Sequence, residues 1–130
     1  LMTKAVLSLL PAAGLGRIVN IVSQAARGRA EFTSAHYVAS KSALVGLTRV
    51  MASEFGPENI TVNAVAPGFM RSALTGMLSD EVRARMIERI PLKRMGDAEH
   101  VASAVAYLAS DDANYINGTV LDVNGGTIMR

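Results

Sequence analysis

The sequence predicts an α/β domain built on a parallel sheet, and three observations carry that prediction. Hydrophobic periodicity switches repeatedly between short β-branched runs and longer helical stretches. Of the strand-like runs Arg17–Val22 and Ile60–Val65, the first is apolar almost throughout rather than alternating, as a parallel strand covered on both faces is. Both runs end in residues suited to holding a ligand, Ser23 after the first and Pro67-Gly68 after the second. Ligands in open α/β sheets bind beyond the carboxyl ends of the strands.

The elements follow in order. Leu1 to Ala13 reads as the end of a helix with Pro11 near its close, and Gly14 and Gly16 as its C-cap and turn. Arg17–Val22 is the first strand, and Gln24 to Ser34 is a polar loop bearing Gly and Arg. A long helix runs from about Ser34 to Phe55, stopped by Gly56-Pro57. Its apolar residues Val38, Ala39, Ala43, Leu44, Val45, Leu47, Val50, Met51, Ala52 and Phe55 cannot all face one sheet. A helix apolar on more than one side is buried on more than one side, so a second subunit is expected against it, with aggregation if that face stays bare. Ile60–Val65 is the next strand. Met70–Met77 and Ser79–Ile90 read as a helical insertion, with Ser79-Asp80-Glu81 as a start signal. Asp97 caps a further helix through Ala109, Thr119–Val123 is a last strand, and Asn124-Gly125-Gly126 turns the chain. No repeat or low-complexity tract interrupts residues 1–130, which read as one partial domain.

Composition narrows the function classes. The chain has 130 residues, of which 50% are hydrophobic and 18% charged, which suits a globular core. Net charge is +2, from 13 Lys and Arg against 11 Asp and Glu. The densest basic region, Arg83, Arg85, Arg89, Lys93 and Arg94, has no interleaved aromatics, so it reads as a solvated helix face, able to touch an anionic substrate carrier, rather than a nucleic-acid surface. Cysteine is absent, which excludes disulfides and thiolate metal sites. His36 and His100 lack partners at metal-ligand spacing, so no metal is expected. No run nears the ~18 apolar residues of a membrane span, and Leu1–Leu10 carries Lys4 without a cleavage pattern. The expected location is the cytoplasm.

The chemistry is concentrated in Ser34-Ala35-His36-Tyr37-Val38-Ala39-Ser40-Lys41. On a helix, Tyr37 and Lys41 at i and i+4 share a face, so the ammonium can stand beside the phenol. A cation favours the phenolate form of a neighbouring phenol, and a free phenol near pKa ~10 is otherwise a poor acid or base at neutral pH. With the Ser23 hydroxyl holding a substrate oxygen, the implied chemistry is proton transfer at a carbonyl or carbinol oxygen.

Four segments in order now carry a resemblance. Gly16-Arg17-Ile18-Val19-Asn20-Ile21-Val22-Ser23, Tyr37-Val38-Ala39-Ser40-Lys41, Ile60-Thr61-Val62-Asn63-Ala64-Val65-Ala66-Pro67-Gly68-Phe69 and Val123-Asn124-Gly125-Gly126 resemble the short-chain dehydrogenases/reductases. Within that family the look is nearest to bacterial 3-oxoacyl-[acyl-carrier-protein] reductases and related sugar or polyol dehydrogenases. The resemblance implies a Rossmann-type doubly wound parallel sheet, hydride transfer between NADP or NAD and a carbonyl or secondary alcohol, an acyl-carrier-bound or small carbonyl substrate, and a dimer or homotetramer joined through the 34–55 helix. It implies that Tyr37 donates the proton in reduction, that Lys41 supports Tyr37 and binds the nicotinamide ribose hydroxyls, and that Ser23 holds the substrate oxygen. The Ser23-to-Tyr37 loop is one residue longer than the family's commonest spacing, which would select Gln24. Counting from Asn20-Ile21-Val22 selects Ser23. Pro67, Gly68, Met70 and Ser72 resemble the loop that holds the nicotinamide carboxamide, with Ser72 where the family usually has Thr. Asn63 and Asn124 are expected to tie down strand ends, and Arg71 to be solvated.

One family feature is missing from the sequence. A dinucleotide fold holds the pyrophosphate on a glycine-rich loop at its first strand-to-helix turn, and Gly14-Leu15-Gly16 has the reverse order of helix then strand. The residue that would choose NAD or NADP and the family's Asn-Asn-Ala-Gly strand end are absent too. The chain therefore resembles the C-terminal half of such an enzyme, with exposed strand edges. Losing the pyrophosphate and adenosine contacts costs several orders of magnitude in affinity, at about tenfold per 1.4 kcal/mol, so the isolated chain is expected to turn over negligibly. The alternative is a non-catalytic remnant or an oligomerisation partner of full-length subunits.

Overall fold

The structure, a computed structural model, describes residues 3, 5, 10, 16–28 and 33–129. Most of the expected helix end at Leu1–Ala13 and its Gly14 cap lie outside the described residues, as do residues 29–32 of the first loop. Three strands form one sheet among the described residues: β1 (Gly16–Ile21), β2 (Ile60–Pro67) and β3 (Val120–Val123), in that order and all parallel. The register pairs Gly16 with Ile60 and Ile21 with Val65 on one side of β2, and Ala64 with Val120 and Pro67 with Val123 on the other. Among the described residues the α-helices named here are α1 (Ala35–Phe55), α2 (Ala73–Gly76), α3 (Asp80–Glu88) and α4 (Ala98–Ala109).

The central strand explains the layering. Successive side chains of a strand point to opposite faces, and every residue of β2 from Ile60 to Ala66 is buried. Ile60 and Val62 pack with Met51 and Ala52 of α1, while Ala64 and Ala66 pack with Val45 of α1 and with Val22. On the opposite face Val65 packs with Leu108, and with Val101, Ala104 and Val105 of α4. Helices thus cover both faces, so β2 is buried along its length, its polar residues Thr61 and Asn63 included. Its one large polar side chain, Asn63, is fully buried and bonded through both amide atoms: Nδ2 donates to the Ile116 carbonyl at 2.8 Å and Oδ1 accepts from Thr119 N–H at 3.1 Å. Those bonds fix the chain entering β3, as expected for a strand tie.

α1 ends where the sequence says it should. Gly56–Glu58 forms a 3-10 turn with Pro57 in its first positions, and Asn59 closes it in the left-handed region at φ 60, which Asn tolerates better than most residues. One face of α1 is buried through Val45, Thr48, Met51 and Ala52. The opposite face leaves Leu47 50% and Val50 53% exposed, the two-sided character that the composition of the helix anticipated. At the far end of the sheet, Asn124 closes the turn after β3 by accepting from Gly126 N–H and donating to the Ile128 carbonyl, with Gly125 and Gly126 at positive φ.

Several boundaries differ from expectation: β1 lies one residue earlier, at Gly16–Ile21, and β3 starts at Val120. β2 runs two residues past Val65 because β3 continues to pair with it through Pro67. The first loop opens with a 3-10 turn at Gln24–Ala26, capped by Ser23. The expected Met70–Met77 helix shrinks to α2, because Met70 bridges to Gly96, Arg71 N–H donates to the Gly96 carbonyl at 2.8 Å, and Ser72 caps the single turn that remains. The second helix of the insertion is shorter at both ends, Asp80–Glu88, with Ser79 accepting from Val82 N–H. Residues 70–97 consequently form an excursion closed at its neck, with a small core of Phe69, Ile90 and Met95 backed by Leu78, Met86 and Ile87.

Candidate active site

The carboxyl end of β1 meets the first turns of α1. Ser23, two residues beyond the strand, has extended backbone at φ −162, and its hydroxyl accepts from Ala25 N–H at 3.2 Å. Tyr37 and Lys41 lie one turn apart on α1. The Lys41 ammonium donates to the Ile21 carbonyl at 2.8 Å and stands 5.9 Å from the centroid of the Tyr37 ring. Tyr37 itself is 38% exposed, open to an incoming molecule. Ile21 is the last residue of β1, so the bond from Lys41 fixes the cation at the strand end that carries Ser23.

A second, buried contact holds the helix in the same register. Asn20 Nδ2 donates to Thr48 Oγ1 at 3.0 Å, and that hydroxyl donates to the Leu44 carbonyl at 2.7 Å. Thr48 is wholly buried, so the pair acts as an internal brace between β1 and α1. Two ties at different heights, Lys41 to Ile21 and Thr48 to Asn20, leave α1 little freedom to rotate about its axis.

The loop after β2 stands beside this corner. Gly68 N–H donates to the Val123 carbonyl at 2.9 Å. A Cβ at Gly68 would lie 2.7 Å from the Asn124 Cα and 2.9 Å from Gln24 Oε1, so only glycine fits there. Gln24 Oε1 is buried with no hydrogen-bond partner among the described residues. A buried carbonyl oxygen without a donor carries a desolvation cost that an arriving N–H or O–H relieves. Ser23, Tyr37 and Lys41 therefore gather at the end of β1, while Pro67, Gly68, Met70 and Ser72 follow the end of β2, with the Gln24–Gly68 contact joining the two groups. Ser72 is the exception in detail: its hydroxyl accepts from Thr75 N–H at 3.2 Å as the cap of α2, an engagement the sequence reading did not foresee.

Two ion pairs escape the sequence reading. Arg71 is solvated as expected, its side chain 70% exposed, and it also donates to Asp97 at 2.8 Å. That hydrogen bond holds the Asp97 carboxyl below the usual carboxylate value, against a smaller opposing effect of burial, with further help from the charges of Arg71, His100 and Arg94. Arg27 Nε lies 3.1 Å from Asp122 Oδ1, with side chains only 14% and 20% exposed. Neither atom is aligned as a hydrogen bond, so the contact is a Coulombic one between poorly solvated charges. It ties the Ser23 loop to β3. None of these partners sits at a sequence spacing that announces a contact. A cavity of about 240 Å³ opens next to Met70, between the 70–97 excursion and the turn after β3, and none of Ser23, Tyr37 and Lys41 lines it.

Comparisons with known proteins bear on this arrangement. A family profile described as enoyl-(acyl carrier protein) reductase matches residues 1–127. The 3-oxoacyl-[acyl-carrier-protein] reductase of Staphylococcus epidermidis is 52% identical over 95 residues, covering 73% of this chain and 39% of that protein. A crystal structure of a 3-oxoacyl-[acyl-carrier protein] reductase from Brucella melitensis superposes with a TM-score of 0.94 at 33% identity, covering 99% of this chain and 48% of that one. A second Brucella melitensis reductase, solved with bound NAD, gives a TM-score of 0.89 at 32% identity over 99% of this chain and 47% of that one. The chain thus spans half or less of the length of these proteins. With a parallel sheet between two helical layers, four ordered motifs and matches of this extent, the chain belongs to the short-chain dehydrogenase/reductase family.

Proposed function

We propose that this chain supplies the proton-transfer and nicotinamide-facing portion of an NAD(P)-dependent oxidoreductase that interconverts a carbonyl and a secondary alcohol, with a 3-oxoacyl thioester as substrate. The observation that carries the reading is the Lys41 ammonium, bonded to the Ile21 carbonyl at 2.8 Å and 5.9 Å from the Tyr37 ring. In the reductive direction Tyr37 gives its hydroxyl proton to the carbonyl oxygen as the carbonyl carbon becomes a carbinol. Lys41 stabilises the phenolate that remains, and Ser23 donates a hydrogen bond to the oxygen as it gains charge. Ser23 keeps its bond from Ala25 N–H as it does so, because a hydroxyl accepts and donates at once.

The residues present fit a nicotinamide. Gly68 permits a close approach that any Cβ would block, and the orphaned Gln24 oxygen offers an acceptor to an amide N–H. Pro67, Gly68, Met70 and Ser72 would hold the carboxamide, and Lys41 the ribose hydroxyls. When bound, the cofactor supplies the hydride. The unshared apolar face of α1, with Leu47 and Val50 exposed, supports assembly of identical subunits through that helix.

A second reading rests on the description of the family profile, which names an enoyl rather than a 3-oxoacyl substrate. There the same hydroxyls would hold a thioester oxygen while a conjugated double bond is saturated. The two readings separate on substrate. Fused behind the nucleotide-binding portion of the Staphylococcus epidermidis reductase, the chain should oxidise NADPH or NADH with a 3-oxoacyl thioester and not with the matching enoyl thioester. Tyr37→Phe in that fusion should lower kcat by about 10²–10⁴. A fusion that binds cofactor yet leaves the 3-oxoacyl thioester unreduced, or a Tyr37→Phe variant of undiminished kcat, would overturn the proposal. The 130-residue chain alone is expected to turn over negligibly, since its sequence has no glycine-rich phosphate loop.

A further inference from the structure

The loop that carries Ser23 is held from two sides, and only one of them gives it direction. On its inner side Ala25 is buried and Ala26 packs against the cluster of Val22, Val45, Ala64 and Ala66. Burial of apolar surface is non-directional, so small side chains of this kind set how deep the loop lies and not how it is turned. On its outer side the loop meets the C-terminal segment, residues 122–128. Arg27 Nε stands 3.1 Å from Asp122 Oδ1, and the two side chains are 14% and 20% exposed. A Cβ on Gly28 would lie 2.7 Å from Ile128 Cδ1, so that methyl occupies the space a side chain at Gly28 would need. The space beside Gly68 is likewise shared by Gln24 Oε1 and the Asn124 backbone.

The C-terminal segment is itself firmly placed. β3 pairs with β2 as far as Val123, Asn124 Nδ2 donates to the Ile128 carbonyl at 3.2 Å, and Thr127 Oγ1 donates to the Asn124 carbonyl at 2.8 Å. Ile128 is thereby bound to the turn that follows the strand. Within the loop, Ser23 Oγ accepts from Ala25 N–H at 3.2 Å. That bond engages one lone pair and leaves the hydroxyl proton, with the other lone pair, for an incoming oxygen. The direction of the Ser23 O–H therefore follows the turn at Gln24–Ala26, and that turn runs directly into Arg27 and Gly28.

We propose that the C-terminal segment aims the Ser23 hydroxyl, with Asp122 and Ile128 as positioning residues that act through Arg27 and Gly28. Arg27 Nε and Asp122 Oδ1 are close but not aligned as a hydrogen bond, so this tie needs a positive charge rather than the fork of a guanidinium. The proposal rests on the reductase reading for what Ser23 does with its proton, whereas the clamp itself is read in the ligand-free chain.

The test is amide NMR of the purified chain as the parent and as Arg27→Met, Arg27→Lys and Ile128→Ala. Arg27→Met should displace the Ala25 amide resonance and speed its exchange at least about tenfold beyond any change at Val62 and Ala64. Arg27→Lys, which carries its charge one bond beyond the position of Nε, should keep the parent resonance. Ile128→Ala, a truncation on the half-buried tail, should displace Ala25 in the same sense without lowering the protection of β2. A purely structural role would instead weaken protection at Val62 and Ala64 and leave the native Ala25 resonance where it was. In the fusion that tests the reductase reading, Arg27→Met should lower kcat by at least about tenfold and leave KM for NADH unchanged, as a misaimed hydroxyl does. An Ala25 resonance indifferent to Arg27→Met or to Ile128→Ala, an Arg27→Lys variant that behaves like Arg27→Met, or an unchanged kcat would each overturn the proposal. A parent fusion without activity would overturn the reductase reading and leave the Ala25 resonance to decide the clamp.

Discussion

The corner formed by β1, β2 and α1 and the excursion of residues 70–97 lie side by side but are held by different forces. The corner is fixed by buried apolar packing on both faces of β2, by the Thr48–Asn20 brace and by the Lys41–Ile21 bond. The excursion is fixed at its neck by Met70–Gly96 pairing and the surface Arg71–Asp97 pair, around a small separate core. Packed, doubly covered segments open only with the whole domain, whereas segments with few buried contacts open locally. Tyr37, Lys41 and Ser23 thus sit on the rigid region, and the residues that border the neighbouring loop sit at the hinge of the yielding one.

The sharpest way to break this contrast is to remove core volume. Leu108 is 1% exposed and packs on Val65, so Leu108→Ala should cost about 2–5 kcal/mol in denaturant unfolding. Met95→Ala, in the core of the excursion, should cost less globally and instead speed amide exchange at Val82 and Arg83 while Val62 and Ala64 remain protected. Next in size is the brace: Thr48→Val should destabilise by about 1–3 kcal/mol, because Asn20 loses its acceptor in a buried setting. Equal exchange rates across both regions in the parent protein would refute the division itself.

Smaller effects belong to the surface. Leu47→Glu and Val50→Glu should shift monomer stability within about 0.5 kcal/mol yet reduce the assembled mass in light scattering, since both residues are half exposed. An unchanged mass would exclude this face from subunit contact. The smallest effect is that of the neck ion pair. The Asp97 carboxyl lies below its ordinary value, so its stabilising contribution is present above the unfolded carboxylate value of about 3.9 and is lost as pH falls through the lower folded value. Because the Arg71 and Asp97 side chains are 70% and 37% exposed, solvent screens the pair. Arg71→Ala should therefore flatten the stability profile between about pH 5 and pH 2 and leave neutral pH nearly untouched. A steeper profile in the variant would reverse that assignment.

What the sequence revealed and what it concealed divide along the same line. Tyr37 and Lys41 were legible because their relation is local, one helical turn, and β2 was legible as a short β-branched stretch stopped by Pro67-Gly68. The acceptor for Lys41 was not, since a main-chain carbonyl has no residue signature. Arg71 with Asp97 and Arg27 with Asp122 were hidden by separations of tens of residues, which only the fold closes. The length of α2 was misjudged because pairing of Met70 with Gly96 overrides the local helical propensity. Gln24 was considered only as a rival to Ser23; its buried, unpartnered oxygen gives it a separate place beside Gly68.

The central proposal is that this chain holds a nicotinamide and its ribose through Lys41 and the Pro67–Ser72 loop. The most direct measurement is a fluorescence titration of the purified chain with NADH and with reduced nicotinamide mononucleotide, in the parent and in Lys41→Met. The account predicts weak binding of equal strength for both ligands and its loss in the variant. Binding of NADH many times tighter than of the mononucleotide, or binding indifferent to Lys41, would contradict it.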